Sequence, residues 1–111
     1  MGDDASRIAK TESLFRDVNE RIAESASGVG LPDAEFVCEC ADPTCTERLT
    51  VELDDYEQVR EEATHFLLVS GHEVSSVEQV VARRRGYQIV RKVEEAVAAI
   101  VRRLNPRENP A

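Results

Sequence analysis

This sequence predicts an α+β fold: a small antiparallel sheet with a zinc-knuckle-like hairpin, flanked by N-terminal and C-terminal helices. Apolar residues recur at three- and four-residue spacing near both ends, and alternate with polar residues in the middle. Turn residues mark the changes of period. All three cysteines fall within positions 38–45, inside "EFVCECADPTCTERL", which puts them at the tip of a hairpin.

The first helix is read over residues 11–26, "TESLFRDVNERIAESA", where Leu14, Phe15, Val18, Ile22 and Ala26 form an apolar stripe. That stripe is expected either to enter the chain's own core or to pack on a partner helix, with Leu14, Phe15, Val18 and Ile22 as the partner face. "SGVGLPD" at 27–33 ends the helix in a loop. "AEFVCEC" then reads as a strand, and "ERLTVEL" at 47–53 alternates with Leu49, Val51 and Leu53 on one face. Asp42 and Pro43 favour a tight reversal between them. "DDYEQVREE" follows as a short helix, with Asp54 as N-cap and Glu57 completing a capping box. "HFLLVSGHE" at 65–73 is a third strand ending at Ser70-Gly71-His72. Residues 77–93 read as a hairpin turning at Arg84–Gly86, because Val81, Tyr87 and Ile89 are β-formers. "EEAVAAIVRRL" at 94–104 is the last helix, with glutamates at its start and arginines at its end, as the helix dipole favours.

These elements make one domain over residues 11–104, preceded by a flexible N-terminus at 1–10 and followed by a disordered tail at 105–111. Three Phe, two Tyr, one Met and no Trp leave Val, Ile, Leu and Ala to build the core, so a metal cross-link would matter. Residues 1–70 hold 6 Lys/Arg against 17 Asp/Glu, whereas residues 71–111 hold 8 against 5. The acidic part argues against general binding to phosphate backbones, which needs cationic side chains. "MGDDASRIAK" is polar and acidic, unlike a secretory signal, and no apolar run approaches the roughly 20 residues that cross a bilayer. A cytoplasmic protein without membrane contact is expected, and clustered cysteines in a reducing compartment are more often metal ligands than disulfides.

On a strand, Cys38 and Cys40 point to the same side with Cα atoms about 6.6 Å apart, which is poor for a disulfide and suitable for one shared ion. Cys45 can swing back across the reversal to join them. Structural zinc takes four ligands, and His72, after Gly71, is the favoured fourth; His65 opens a strand and reads as surface. The expected site is therefore Cys38, Cys40, Cys45 and His72, holding one Zn²⁺ per chain. Free thiols, or a redox couple of Cys45 with Cys38 or Cys40, are the alternatives.

"FVCECADPTCTERLTVELDDYEQVR", then "FLLVSGHE" and the valine-rich hairpin ending "GYQIV", resemble a family of small uncharacterised bacterial proteins. The resemblance spans roughly residues 12–93 and matches at Cys38, Cys40, Cys45, Gly71 and His72, the C-x-C-x4-C…G-H arrangement. Family members often carry Gly in place of Ala41 and Pro in place of Ser70. The resemblance implies a metal site and no substrate.

No phosphate-binding loop, dinucleotide turn or Ser-His-Asp set is present. Catalysis would need one metal position left open, with Glu39, Glu47 or Glu73 as base. The expectation is a non-enzymatic zinc-binding module that binds another protein, or a second copy of itself as a dimer. Two alternatives are a nucleic-acid or transcription-machinery factor using Arg83, Arg84 and Arg85, and a zinc-thiolate redox sensor.

Overall fold

The chain runs α1 (Gly2–Gly28), β1 (Asp33–Val37), β2 (Arg48–Glu52), α2 (Leu53–Arg60), β3 (His65–Leu68), β4 (Glu78–Arg84), β5 (Tyr87–Lys92), α3 (Glu95–Arg103). This computed structural model describes residues 2–107, with side chains from Asp4 onward. The fold is α+β with helices at both ends, and its strands form two antiparallel sheets, β1-β2 and β3-β5-β4. β2 runs straight into α2, so the chain has left the first hairpin before β3 begins.

α1 is longer than the expected 11–26. Residues 2–10, read from the sequence as a flexible N-terminus, continue the helix, because Ala5, Ile8 and Ala9 pack on the core. At the other end, Gly30 has φ +77°. Its N–H donates to Ser27 O, and Leu31 N–H donates to Ala26 O, the paired bonds of a Schellman stop. The phase of the helix also departs from expectation. Along its middle the inward face is polar, with Glu12, Ser13, Arg16 and Asn19 buried, while Leu14 and Val18 are exposed.

Asp54 does not cap α2. The helix starts at Leu53, and no side chain bonds its first turn. Leu53 N–H instead donates to Pro32 O, a backbone partner that the strand-to-helix junction supplies. Glu57 serves elsewhere, receiving the Arg107 guanidinium together with Glu20. Asn105 is buried and accepts from Arg60 Nη2 at 2.8 Å. Residues 105–107 thus pack on the domain rather than forming a disordered tail; the same expectation for 108–111 lies outside the described residues.

β3 is buried on both faces. Phe66 and Leu68 join Val90, Val97 and Val101 in one cluster, while Leu67 joins Phe36, Leu49, Val51 and Tyr56 in the other. Phe36 and Tyr56 stack at 4.4 Å between centroids. Charge fills what large apolar residues do not. Arg16 spans α1 to the rest of the domain by donating to Ala63 O and Val101 O, each at 2.8 Å. Lys92 meets Glu12 and Glu78, all fully buried in their side chains. Both cations sit over the Phe66 ring, 4.6 and 4.7 Å from its centroid.

Burial pushes the Glu12 carboxyl from 4.5 up to about 8, against the pull of Lys92. Its folded affinity for a proton exceeds its unfolded one, so between those values the native state holds more protons and stability falls as pH rises. For one group the slope reaches about 1.4 kcal/mol per pH unit. The urea midpoint should therefore drop from pH 6 to pH 8, and Glu12→Gln should remove most of that drop. An unchanged slope in the variant would show that Glu12 does not carry it.

Candidate metal centre

Three short segments meet here, each held by bonds that can be named. The first is the extension of β1. Cys38 N–H donates to Glu47 O at 3.1 Å, the last rung of the β1-β2 hairpin. Cys38 and Cys40 lie just past β1 rather than within it. The second is the reversal from Asp42 to Cys45, closed by Cys45 N–H to Asp42 O. Asp42 Oδ1 also accepts from Thr44 N–H at 2.9 Å and Thr44 Oγ1 at 2.7 Å. These bonds hold the Asp42 carboxyl below its usual value.

The third segment is the turn after β3, residues 69–72. His72 N–H donates to Val69 O, and Gly71 has φ +91°. This is a type II turn, whose third residue needs the left-handed backbone that glycine adopts freely. Glu73 steadies it from outside, accepting from Gly71 N–H at 3.0 Å.

The result places Cys38 Sγ, Cys40 Sγ, Cys45 Sγ and a His72 ring nitrogen within 4.8 Å of one another. His72 Nδ1 is 3.6 Å from Cys38 Sγ and 3.6 Å from Cys45 Sγ. All three cysteines are free thiols. Cys38 and Cys40 are buried, Cys45 and His72 half-buried. Burial pushes the Cys38 and Cys40 thiols up. Val69 N–H, 3.3 Å from Cys38 Sγ, works in the opposite direction by donating to the sulfur. The group can hold one metal ion, and it is the set read from the sequence.

Glu39 stands between the two cysteines and faces away from them. It is fully buried; its Oε1 accepts from Leu67 N–H at 3.0 Å and its Oε2 from Asn19 Nδ2 at 2.8 Å. Its own N–H donates to Leu67 O at 2.9 Å. Asn19 also bonds both backbone groups of Val37. The sequence reading offered Glu39 as a base beside an open metal position; the structure commits it to joining β3, α1 and the hairpin. Period-two alternation was the available signal, since a residue between two converging thiols must point the other way. Nothing in the sequence identified Asn19 as its partner.

His65 is half-buried in β3 and takes no part in the cluster. Arg83, Arg84 and Arg85 are exposed at the β4-β5 turn. Arg84 shares a shallow pocket with Asp55 of α2, so an acidic side chain stands beside the basic tip. No family model, curated protein or solved structure matches the chain.

Substitutions at two positions separate the supports of the site. Glu39→Ala strands two buried donor groups and should lower unfolding free energy by roughly 2–5 kcal/mol, whereas Glu39→Gln, which keeps an acceptor for one of them, should lower it less. Gly71→Ala meets no atom within 4 Å, so its cost is conformational, about 1–2 kcal/mol. Urea unfolding of each variant measures both, and a neutral Glu39→Ala would remove the joining role assigned to this carboxylate.

Proposed function

We propose that this chain is a small zinc-binding protein in which one Zn²⁺, held by Cys38, Cys40, Cys45 and His72, is structural, and that the domain acts as a non-enzymatic protein-interaction module. The observation that carries the reading is the spacing of the donors. With Zn–S near 2.3 Å and Zn–N near 2.0–2.1 Å, a tetrahedral site has S···N edges of about 3.5 Å and S···S edges of about 3.8 Å. The S···N separations from Cys38 and Cys45 to His72 are 3.6 Å each. The widest donor separation of 4.8 Å needs a contraction of about 1 Å to reach those edges. Three thiolates and an imidazole are a donor set that zinc favours over the oxygen-seeking cations.

Four ligands from the chain complete a tetrahedron, which leaves no position for a substrate or an activated water. Three carboxylates of these segments are committed, Glu39 to Leu67 and Asn19, Asp42 to Thr44, and Glu73 to the Gly71 turn. This supports a structural role for the ion. Catalysis, by contrast, would require displacing a ligand that the fold has already delivered. The nucleic-acid reading has weaker support, because Arg84, one of the three exposed arginines, shares its pocket with Asp55.

Protein purified without chelator should carry about one zinc per chain by elemental analysis, the number that one four-ligand site admits. Cys38→Ser should abolish loading, and His72→Ala should weaken affinity by at least about tenfold. Chelation should lower the melting temperature of the wild-type chain and leave that of Cys38→Ser unmoved. A zinc-free wild type that melts the same with and without chelator would overturn the reading.

A further inference from the structure

The outer face of α1 is apolar where a monomer would place charge. Leu14, Val18 and Ile22 are spaced by one helical turn each and form one stripe. Leu14 is 62 % exposed and Val18 39 %. The stripe continues into a groove of about 720 Å³ between α1 and β1, where Val18 and Ile22 face Val29, Leu31 and Ala34. Val29 and Leu31 are themselves 74 % and 51 % exposed. An apolar surface of this kind, continuous over a helix and a neighbouring groove, marks an interaction site.

The flank of the stripe says what covers it. Lys10, Asp17, Arg21 and Glu24 lie along one side, all exposed, alternating basic, acidic, basic, acidic from the N-terminal end. None of the four forms an ion pair among the described residues. The order is self-complementary when reversed: read from the other end it is acidic, basic, acidic, basic. Such a surface fits itself about a two-fold axis.

We propose that this face is closed by a second copy of the chain, the two α1 helices packing antiparallel about a two-fold axis at the level of Val18. This deepens the interaction reading above, on which it rests, by naming the partner. The axis sets Val18 against Val18 and carries Leu14 of each copy opposite Ile22 of the other. The most exposed apolar side chain of the helix then enters the groove of its counterpart, and does so twice. The same axis turns each charged flank towards its own equivalent. Lys10 comes within two residues, about 3 Å along the axis, of Glu24 in the other copy, and Asp17 stands in the same relation to Arg21. Both offsets are within the reach of a Lys or Arg stem. The two Asp17 carboxylates stand at the same two-residue offset from each other, each beside an Arg21 of the other copy.

The test is sedimentation equilibrium of the full-length, zinc-loaded chain from micromolar to near-millimolar concentration, with metal content measured on the same samples. The expected mass at high concentration is twice the 12.4 kDa of one chain. Leu14→Glu and Val18→Glu change exposed positions, so the fold (checked by circular dichroism) should survive while self-association weakens at least about tenfold. Arg21→Asp should weaken it about threefold, and adding Asp17→Arg should restore it, because the swap preserves the reversed charge order. A mass of one chain at every concentration overturns the proposal, as does a dimer indifferent to Leu14→Glu and Val18→Glu. A monomer that keeps its zinc sinks self-association alone, whereas a dimer without zinc sinks the metal reading and leaves this one standing.

Discussion

The two halves of this fold are joined at Glu39. β1 and β2 form one sheet, β3, β5 and β4 another, and the segment leaving β1 reaches the free edge of β3 through two bonds at Leu67. The carboxylate that makes one of them also holds Asn19 of α1. A polar group this deeply buried is tolerated only when its lone pairs are engaged, so the geometry of three elements is set by one side chain's need for donors. Because β3 ends in the turn that carries His72, fixing Glu39 against Leu67 also brings the hairpin tip to the histidine. The joining of the sheets and the assembly of the four-residue cluster are one event.

The same economy explains the reversed helix. A chain with few aromatic residues fills its centre with Arg16, Lys92, Glu12 and Glu78 around the Phe66 ring. None of these four belongs to the apolar pattern that the sequence displays most clearly, and two of them, Glu12 and Arg16, sit on α1. Once Glu12, Arg16 and Asn19 point inwards, the helical repeat forces Leu14 and Val18 outwards. Polar contacts of fixed direction define one packing of α1 more narrowly than interchangeable apolar contacts would. The cost is an apolar stripe facing solvent.

What the sequence made legible was what short-range chemistry dictates. The hairpin of Leu49 and Val51, the Asp42-Pro43 reversal and the Gly71-His72 corner each follow from local backbone preference, and together they located Cys38, Cys40, Cys45 and His72. The residues that pack across the fold were not legible. Periodicity finds an apolar stripe on α1 but cannot tell which side of the helix meets the core when the core is itself charged, so Leu14 and Val18 were open to either placement. Ala5 and Ala9 hold the first turns of α1 through contacts with residues far along the chain, and a polar, acidic start gave no local sign of it. Asn105 and Arg107 looked like a tail because their partners, Arg60, Glu20 and Glu57, lie more than forty residues away.

Residues 38–40 are used on both sides. The sulfurs of Cys38 and Cys40 face His72, while the carboxylate between them faces Leu67 and Asn19. Three residues of extended chain cannot move one face without moving the other. An ion bound on the sulfur side would therefore hold Glu39 in register on the other, and through Asn19 the middle of α1. That helix carries the apolar stripe at Val18, next to Asn19, and at Ile22, about one turn beyond it. Loss of the ion would then be felt at the outer face of α1 without any contact between them, by way of a single buried carboxylate. The coupling has a physical sign: whatever orders residues 38–40 also orders the surface that α1 presents, because both sides answer to the same backbone.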